Sequence, residues 1–209
     1  MALLIFYHIV LIITTIRSII ILKKKKNKNN LYIYLIVTFL VEVLAIVLQE
    51  VLNVENTDFI YKIYGIFHII FFGYYYMKEF PLNMQIFTKI VMFLSLIIIF
   101  FFSKLFSNVL DDRMITVIGF FGVTLSFEWL FVKLNSPDEK KIYEDTYFWI
   151  TTGLLFWSGF FILRQLPRFF FIEKDGGFSQ IMRTFFYLVN IVTYSLYYIS
   201  FKFYGKDNE

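Results

Sequence analysis

The chain has 209 residues, 59% of them apolar and 22% aromatic, with 17% charged and a positive mean hydropathy. A soluble domain of this length carries about a quarter charged residues, so the composition belongs to the membrane class. Cysteine is absent, which excludes disulfides, thiolate metal sites and thiol nucleophiles.

Segment one, Leu3 to Leu22, has no positive residue before it and no small-residue cleavage site, and is expected to be an uncleaved span. It ends in KKKKNK, where Lys23, Lys24, Lys25, Lys26 and Lys28 form a short basic link of the kind that stays on the cytoplasmic side. Segment two, Leu31 to Val51, closes on the polar turn NVENTD, Asn53 to Asp58. Segment three is Phe59 to Met77, followed by Lys78, Glu79 and Pro81. Segment four, Met84 to Phe106, carries the most lipid-like run, LIIIFFF. Segment five is Met114 to Leu134, followed by a polar loop, Asn135 to Asp145, that contains Lys140 and Lys141. Segment six is Tyr147 to Leu166, Pro167 to Gln180 forms the longest connection, and segment seven is Ile181 to Tyr204.

Each segment is near the roughly 20 residues that cross the hydrocarbon core. All three prolines (Pro81, Pro137, Pro167) fall in connections, where a missing backbone donor does no harm. The expected fold is therefore all-α: one polytopic transmembrane bundle of seven spans covering 1–209. With the N-terminus outside and the C-terminus in the cytoplasm, twelve Lys and Arg fall inside and seven outside, Arg17 lying within a span. The last external connection, with Arg164, Arg168, Lys174 and Arg183, is the misfit to this count. An amphipathic stretch there, Phe169 to Ile172, would lie in the interface.

Ionisable groups in mid-span cost roughly 2.5 to 3.5 kcal/mol on insertion scales, so each is a candidate for function or for an internal partner. Depth counted from the segment boundaries sets Glu42 level with His68, and Arg17 level with Glu128; Asn190 is central in segment seven and His8 lies on the outer side. Two pairs are expected, Glu42 with His68 and Arg17 with Glu128. The alternative is that these charges only neutralise one another, fix packing or, for Arg17, snorkel to the interface. Glu42, Gln49 and Asn53 share a helix face leading outward. Two stripes, Tyr61, Tyr64, His68, Phe71, Tyr75 and Tyr187, Asn190, Tyr194, Tyr197, could line a polar cavity floored by Glu42 and His68, or could be plain packing. In segment six Gly153, Ser158 and Gly159 are expected to allow close helix approach.

Several chemistries lack their residues. Two histidines, His8 and His68, cannot supply a usual catalytic zinc set. GxSxG and phosphate-cradling glycine loops are absent as well. No cofactor or metal is expected.

The acid Glu42, the NVEN turn with the following Tyr61 and Tyr64, and the FWITTG run of segment six resemble features of a loose group of seven-span bacterial inner-membrane proteins that lend no activity. In size and topology the chain is also similar to small multi-span proteins encoded beside bacterial antiphage systems, including RNA-guided RNA nucleases. The resemblance implies residence in a bacterial cytoplasmic membrane. The leading expectation is a nonenzymatic accessory or sensory membrane protein, in defence or signalling, that works through a partner. A small proton- or ion-coupled transporter using Glu42, His68 and Glu128 is the alternative, and a lipid-modifying enzyme with Glu42 and His68 as acid and base is a third. Expected partners are the bilayer, anionic lipid head groups and a cytoplasmic protein at the basic face (Lys23, Lys24, Lys25, Lys26, Lys28, Lys140, Lys141), and a second copy of the chain. Direct nucleic-acid binding is not expected.

Overall fold

Apolar runs interrupted by short polar turns can satisfy their backbone groups in lipid only as helices. The computed structural model, which describes residues 2–24, 30–54, 56–102, 112–136, 141–170 and 176–204, has seven long helices and no strand among them. They are α1 (Ala2–Lys24), α2 (Leu31–Ile46), α3 (Asp58–Met77), α4 (Leu82–Phe102), α5 (Asp112–Asn135), α6 (Thr146–Phe170) and α7 (Gly176–Phe203). A π-helical turn, Val47–Val51, prolongs α2.

Six of these helices are long and apolar enough to cross a membrane, the exception being α3. Lys62, His68 and five tyrosines dilute its apolar content. Its position explains why the dilution is tolerated: Ile60, Lys62, Gly65, His68, Phe72 and Tyr76 are among its buried residues, so much of α3 faces other helices instead of lipid.

Two expected boundaries are corrected. α6 runs on to Phe170 and α7 opens at Gly176, so the connection expected from Pro167 to Gln180 is mostly helix. Pro167 sits in the last turn of α6, where it leaves the Leu163 carbonyl without its i→i−4 donor yet does not stop the helix, which runs on to Phe170. Of the stretch expected to lie in the interface, Phe169 and Phe170 belong to α6, while Phe171 and Ile172 are outside the described residues. α4 is described as far as Phe102, and the rest of the segment expected to Phe106 lies outside the described residues.

The packing is a ring. α1 lies against α2 and α7, α2 against α3, α3 against α5, α5 against α6, and α6 against α7; α4 stands outside and covers the junction of α3 with α5. Glycine permits the closest approaches. A Cβ built on Gly122 of α5 would collide with Oγ of Ser158 in α6, and one on Gly153 of α6 would stand 2.8 Å from Cε1 of Tyr197 in α7. The outer surface carries exposed Ile5, Phe6, Ile13 and Ile16 on α1 and Phe93, Phe100 and Phe101 on α4. An apolar exterior around polar interior groups fits a membrane protein.

Candidate functional site

Inside the ring, aromatic side chains from five helices form one connected column. Tyr34 of α2 is its hub, with ring centroids 4.8 Å from Phe72, 5.7 Å from His68, 6.1 Å from Tyr64 and 6.4 Å from Tyr197. Tyr194 lies 6.0 Å from Tyr197, and Tyr7 of α1 lies 5.9 Å from Tyr194. On the α6 side Trp157 stacks on His68 at 5.0 Å.

The hydroxyls of this column are ordered by hydrogen bonds. Oγ1 of Thr38 and the Tyr64 hydroxyl are 2.7 Å apart, and Tyr64 donates to the Tyr34 hydroxyl at 2.8 Å. The remaining hydrogen of Tyr34 is then free to go to Nδ1 of His68 at 3.3 Å. The row stops there. Nε2 of His68 is buried without a hydrogen-bond partner, and the rings of Phe72 and Trp157 close around the imidazole. Trp157 is itself fixed by donating Nε1–H to Oδ1 of Asn190 at 3.0 Å.

Glu42 lies one helical turn beyond Thr38, where the row ends on the α2 side. Its Oε2 faces Nε2 of His8 at 3.8 Å, with both side chains 21% exposed. Nδ1 of His8 is 2.8 Å from the Leu4 carbonyl oxygen. A carbonyl only accepts, so Nδ1 must carry the hydrogen. In the neutral imidazole, Nε2 is then a lone pair aimed at a carboxylate, and it is buried without a hydrogen-bond partner. Two acceptors face one another across a gap longer than a hydrogen bond. The arrangement is balanced when a positive charge, a proton or a small cation, lies between them. Tyr7 lies against Glu42, and the same carboxylate is a charged neighbour of Tyr61 and Tyr194.

The expected Glu42–His68 contact is not formed. Tyr34 meets His68 and Thr38 meets Tyr64, so the antiparallel register of α2 and α3 puts Glu42 level with Ile60 and Tyr61. That is two turns, about 12 Å, from His68. Depth counting failed because α3 is slid along α2 towards the end that holds Lys23 and Lys24. Arg17 and Glu128 are also apart: the Arg17 guanidinium lies 4.1 Å over the Tyr198 ring of α7, and Oε2 of Glu128 accepts from Thr88 of α4 at 2.5 Å. The helices explain it, since α1 packs on α2 and α7 whereas α5 packs on α3, α4 and α6. Gln49 leaves the Glu42 face as well. The π-helical turn carries it to Thr57, to which Nε2 donates at 2.8 Å, fastening the α2–α3 turn where Asn53 takes the left-handed φ of 51°. The two tyrosine stripes do converge, but on a packed column rather than an open cavity.

The basic face is described only in part. Lys23 and Lys24 close α1 and Lys141 is exposed, whereas Lys25, Lys26, Lys28 and Lys140 lie outside the described residues. Sequence reasoning missed three participants. Tyr34 had no mark among fifteen tyrosines, and Lys62, counted with the outer positives, is 2% exposed. His8 had a usable signal: reading α1 and α2 as a hairpin about the basic link sets it within roughly a turn and a half of Glu42. Among the described residues no group of three His, Asp or Glu could hold a metal ion. No protein-family model matches the chain, and neither does any curated protein or solved structure.

Proposed function

We propose that the chain is a nonenzymatic integral membrane protein of seven spans, N-terminus outside and C-terminus cytoplasmic, that takes up a proton or small cation between His8 and Glu42 and signals the change to a partner. The observation that carries this reading is the pair of facing acceptors, Nε2 of His8 and Oε2 of Glu42 at 3.8 Å. The lysines from Lys23 to Lys28 support the orientation and give an acidic cytoplasmic partner or lipid surface a place to dock. A bacterial cytoplasmic membrane, with a role in defence or signalling, is the setting this reading implies.

The hydroxyl row favours a second reading, a small proton- or ion-coupled transporter. Its interruption at His68, whose Nε2 is enclosed by Phe72 and Trp157, argues for the sensory role, because the row offers no way through. The deciding experiment uses the purified protein in lipid nanodiscs and in proteoliposomes. Sodium, calcium or acid should raise the thermal midpoint of the wild type and not of Glu42→Gln, with no Glu42-dependent flux and a stoichiometric protein recovered on mild purification. A midpoint unmoved by every ion and by acid ends the His8–Glu42 reading; Glu42-dependent flux replaces the sensor with the transporter.

A further inference from the structure

Arg17 is a cation inside a span that meets no anion. It is half-buried on α1, between the exposed Ile13, Ile16 and Ile20, and forms no ion pair among the described residues. The Tyr198 ring of α7 covers its guanidinium at 4.1 Å. A ring face steadies the charge from one side but accepts none of the five N–H donors, which lie in the guanidinium plane. Nε is buried without a hydrogen-bond partner.

The depth of this charge selects the anion that can reach it. α1 and α7 run parallel: Oγ1 of Thr14 is 3.3 Å from the Tyr194 carbonyl oxygen, and Arg17 meets Tyr198 further along both helices. The spans end at Ile21 and Phe203, so Arg17 lies four residues and Tyr198 five residues from the ends. Both are therefore about 6 to 8 Å inside the hydrocarbon. A helical side chain leans towards the N-terminus, and the level of Tyr198 agrees that Arg17 does not reach for the membrane edge near Lys24. Lys202, exposed at the end of α7, is the cation placed near lipid phosphates. A carboxylate on a neighbouring transmembrane helix can sit at any depth, and its two oxygens match the guanidinium fork. A second copy of this chain has none to offer: Glu42 and Glu128, its acids nearest mid-span, are turned to His8 and Thr88.

We propose that the α1 face at Arg17 docks a transmembrane helix of a partner protein that carries an aspartate or glutamate at the same depth, its apolar side chains lying along Ile13, Ile16 and Ile20. This does not rest on the His8–Glu42 reading. The test is energy transfer in phosphatidylcholine proteoliposomes between the labelled full chain and labelled leucine-based single-span peptides. One peptide carries glutamate at the depth of Arg17, one carries glutamine there, and one carries its glutamate at mid-span. The wild type should bind the first about tenfold more tightly than the second, as expected of a charge-assisted hydrogen bond, and the third no better than the second. Arg17→Gln should remove the preference and leave the glutamine peptide's association unchanged. Equal association of the wild type with all three peptides overturns the proposal, as does a preference that survives in Arg17→Gln. A preference that vanishes when phosphatidylglycerol replaces phosphatidylcholine also overturns it, by assigning Arg17 to lipid phosphate. Wild-type self-association that Arg17→Gln abolishes, with no peptide preference, assigns the face to a second copy and ends the proposal. If Arg17→Gln does not fold, the wild type decides alone: a preference for glutamate at either depth overturns the pairing.

Discussion

Glu42 and Glu128 are both carboxylates within helices, and their surroundings differ in kind. Glu128, 5% exposed, is supplied with a donor by its neighbour, the Thr88 hydroxyl at 2.5 Å from Oε2, and that bond joins α4 to α5. Glu42 faces an imidazole nitrogen that has no hydrogen to give. One acid meets a hydroxyl that joins two helices and so fixes packing; the other, beside the Tyr7 hydroxyl, also faces a lone pair, which is why the cation reading is placed there. The difference teaches that a buried charge is read from the donors its neighbours supply more than from its depth.

The sharpest way to break this comparison is Glu42→Gln. It should weaken cation uptake about a hundredfold, close to the 1.5 to 3 kcal/mol of a hydrogen bond to a charged group, as read by the ion-dependent thermal midpoint. Thr88→Val should act oppositely: Glu128 then has no partner on either oxygen, stability should fall by about 2 kcal/mol in detergent unfolding, and the ion response should persist. An ion response lost with Thr88 would mean that the two acids form one system. Tyr34→Phe should cost about 1 kcal/mol and, because it cuts the row between Tyr64 and His68, should remove any ion-induced shift of the His68 NMR signal while leaving affinity intact. Smallest of all, Lys133→Met removes the Lys133–Asp145 ion pair beside the α5–α6 loop, and its unfolding change should stay below about 1 kcal/mol because both groups keep some contact with solvent.

The helices were legible because a span needs some 20 apolar residues and the turns between them are polar. α3 shows what composition hides: a segment can be expected as a span from its length and neighbours and still be too polar to qualify alone. The α6–α7 boundary was misread because Pro167 was taken as a breaker, though α6 runs three residues past it to Phe170. The site was half legible. Glu42 and His8 could both be singled out and the α1–α2 hairpin brings them together, but the separation of Glu42 from His68 depends on how far α3 slides along α2, where Tyr34 packs on His68 and Phe72, and no periodicity reveals that. Gly159 was read as a packing glycine because small residues have the same spelling whether they admit a helix or leave room.

The slide and polarity of α3 have a consequence for biogenesis. A segment bearing Lys62 and His68 gains little by entering lipid on its own, since each ionisable group in mid-span raises the insertion cost. In the seven-span reading α2, made before α3, can shield one flank at once, whereas the other is covered only when α5, more than fifty residues later by the start positions Asp58 and Asp112, arrives. On that reading, nascent chains truncated before α5 should leave α3 open to modification from water, which would tie the insertion of α3 to the arrival of α5.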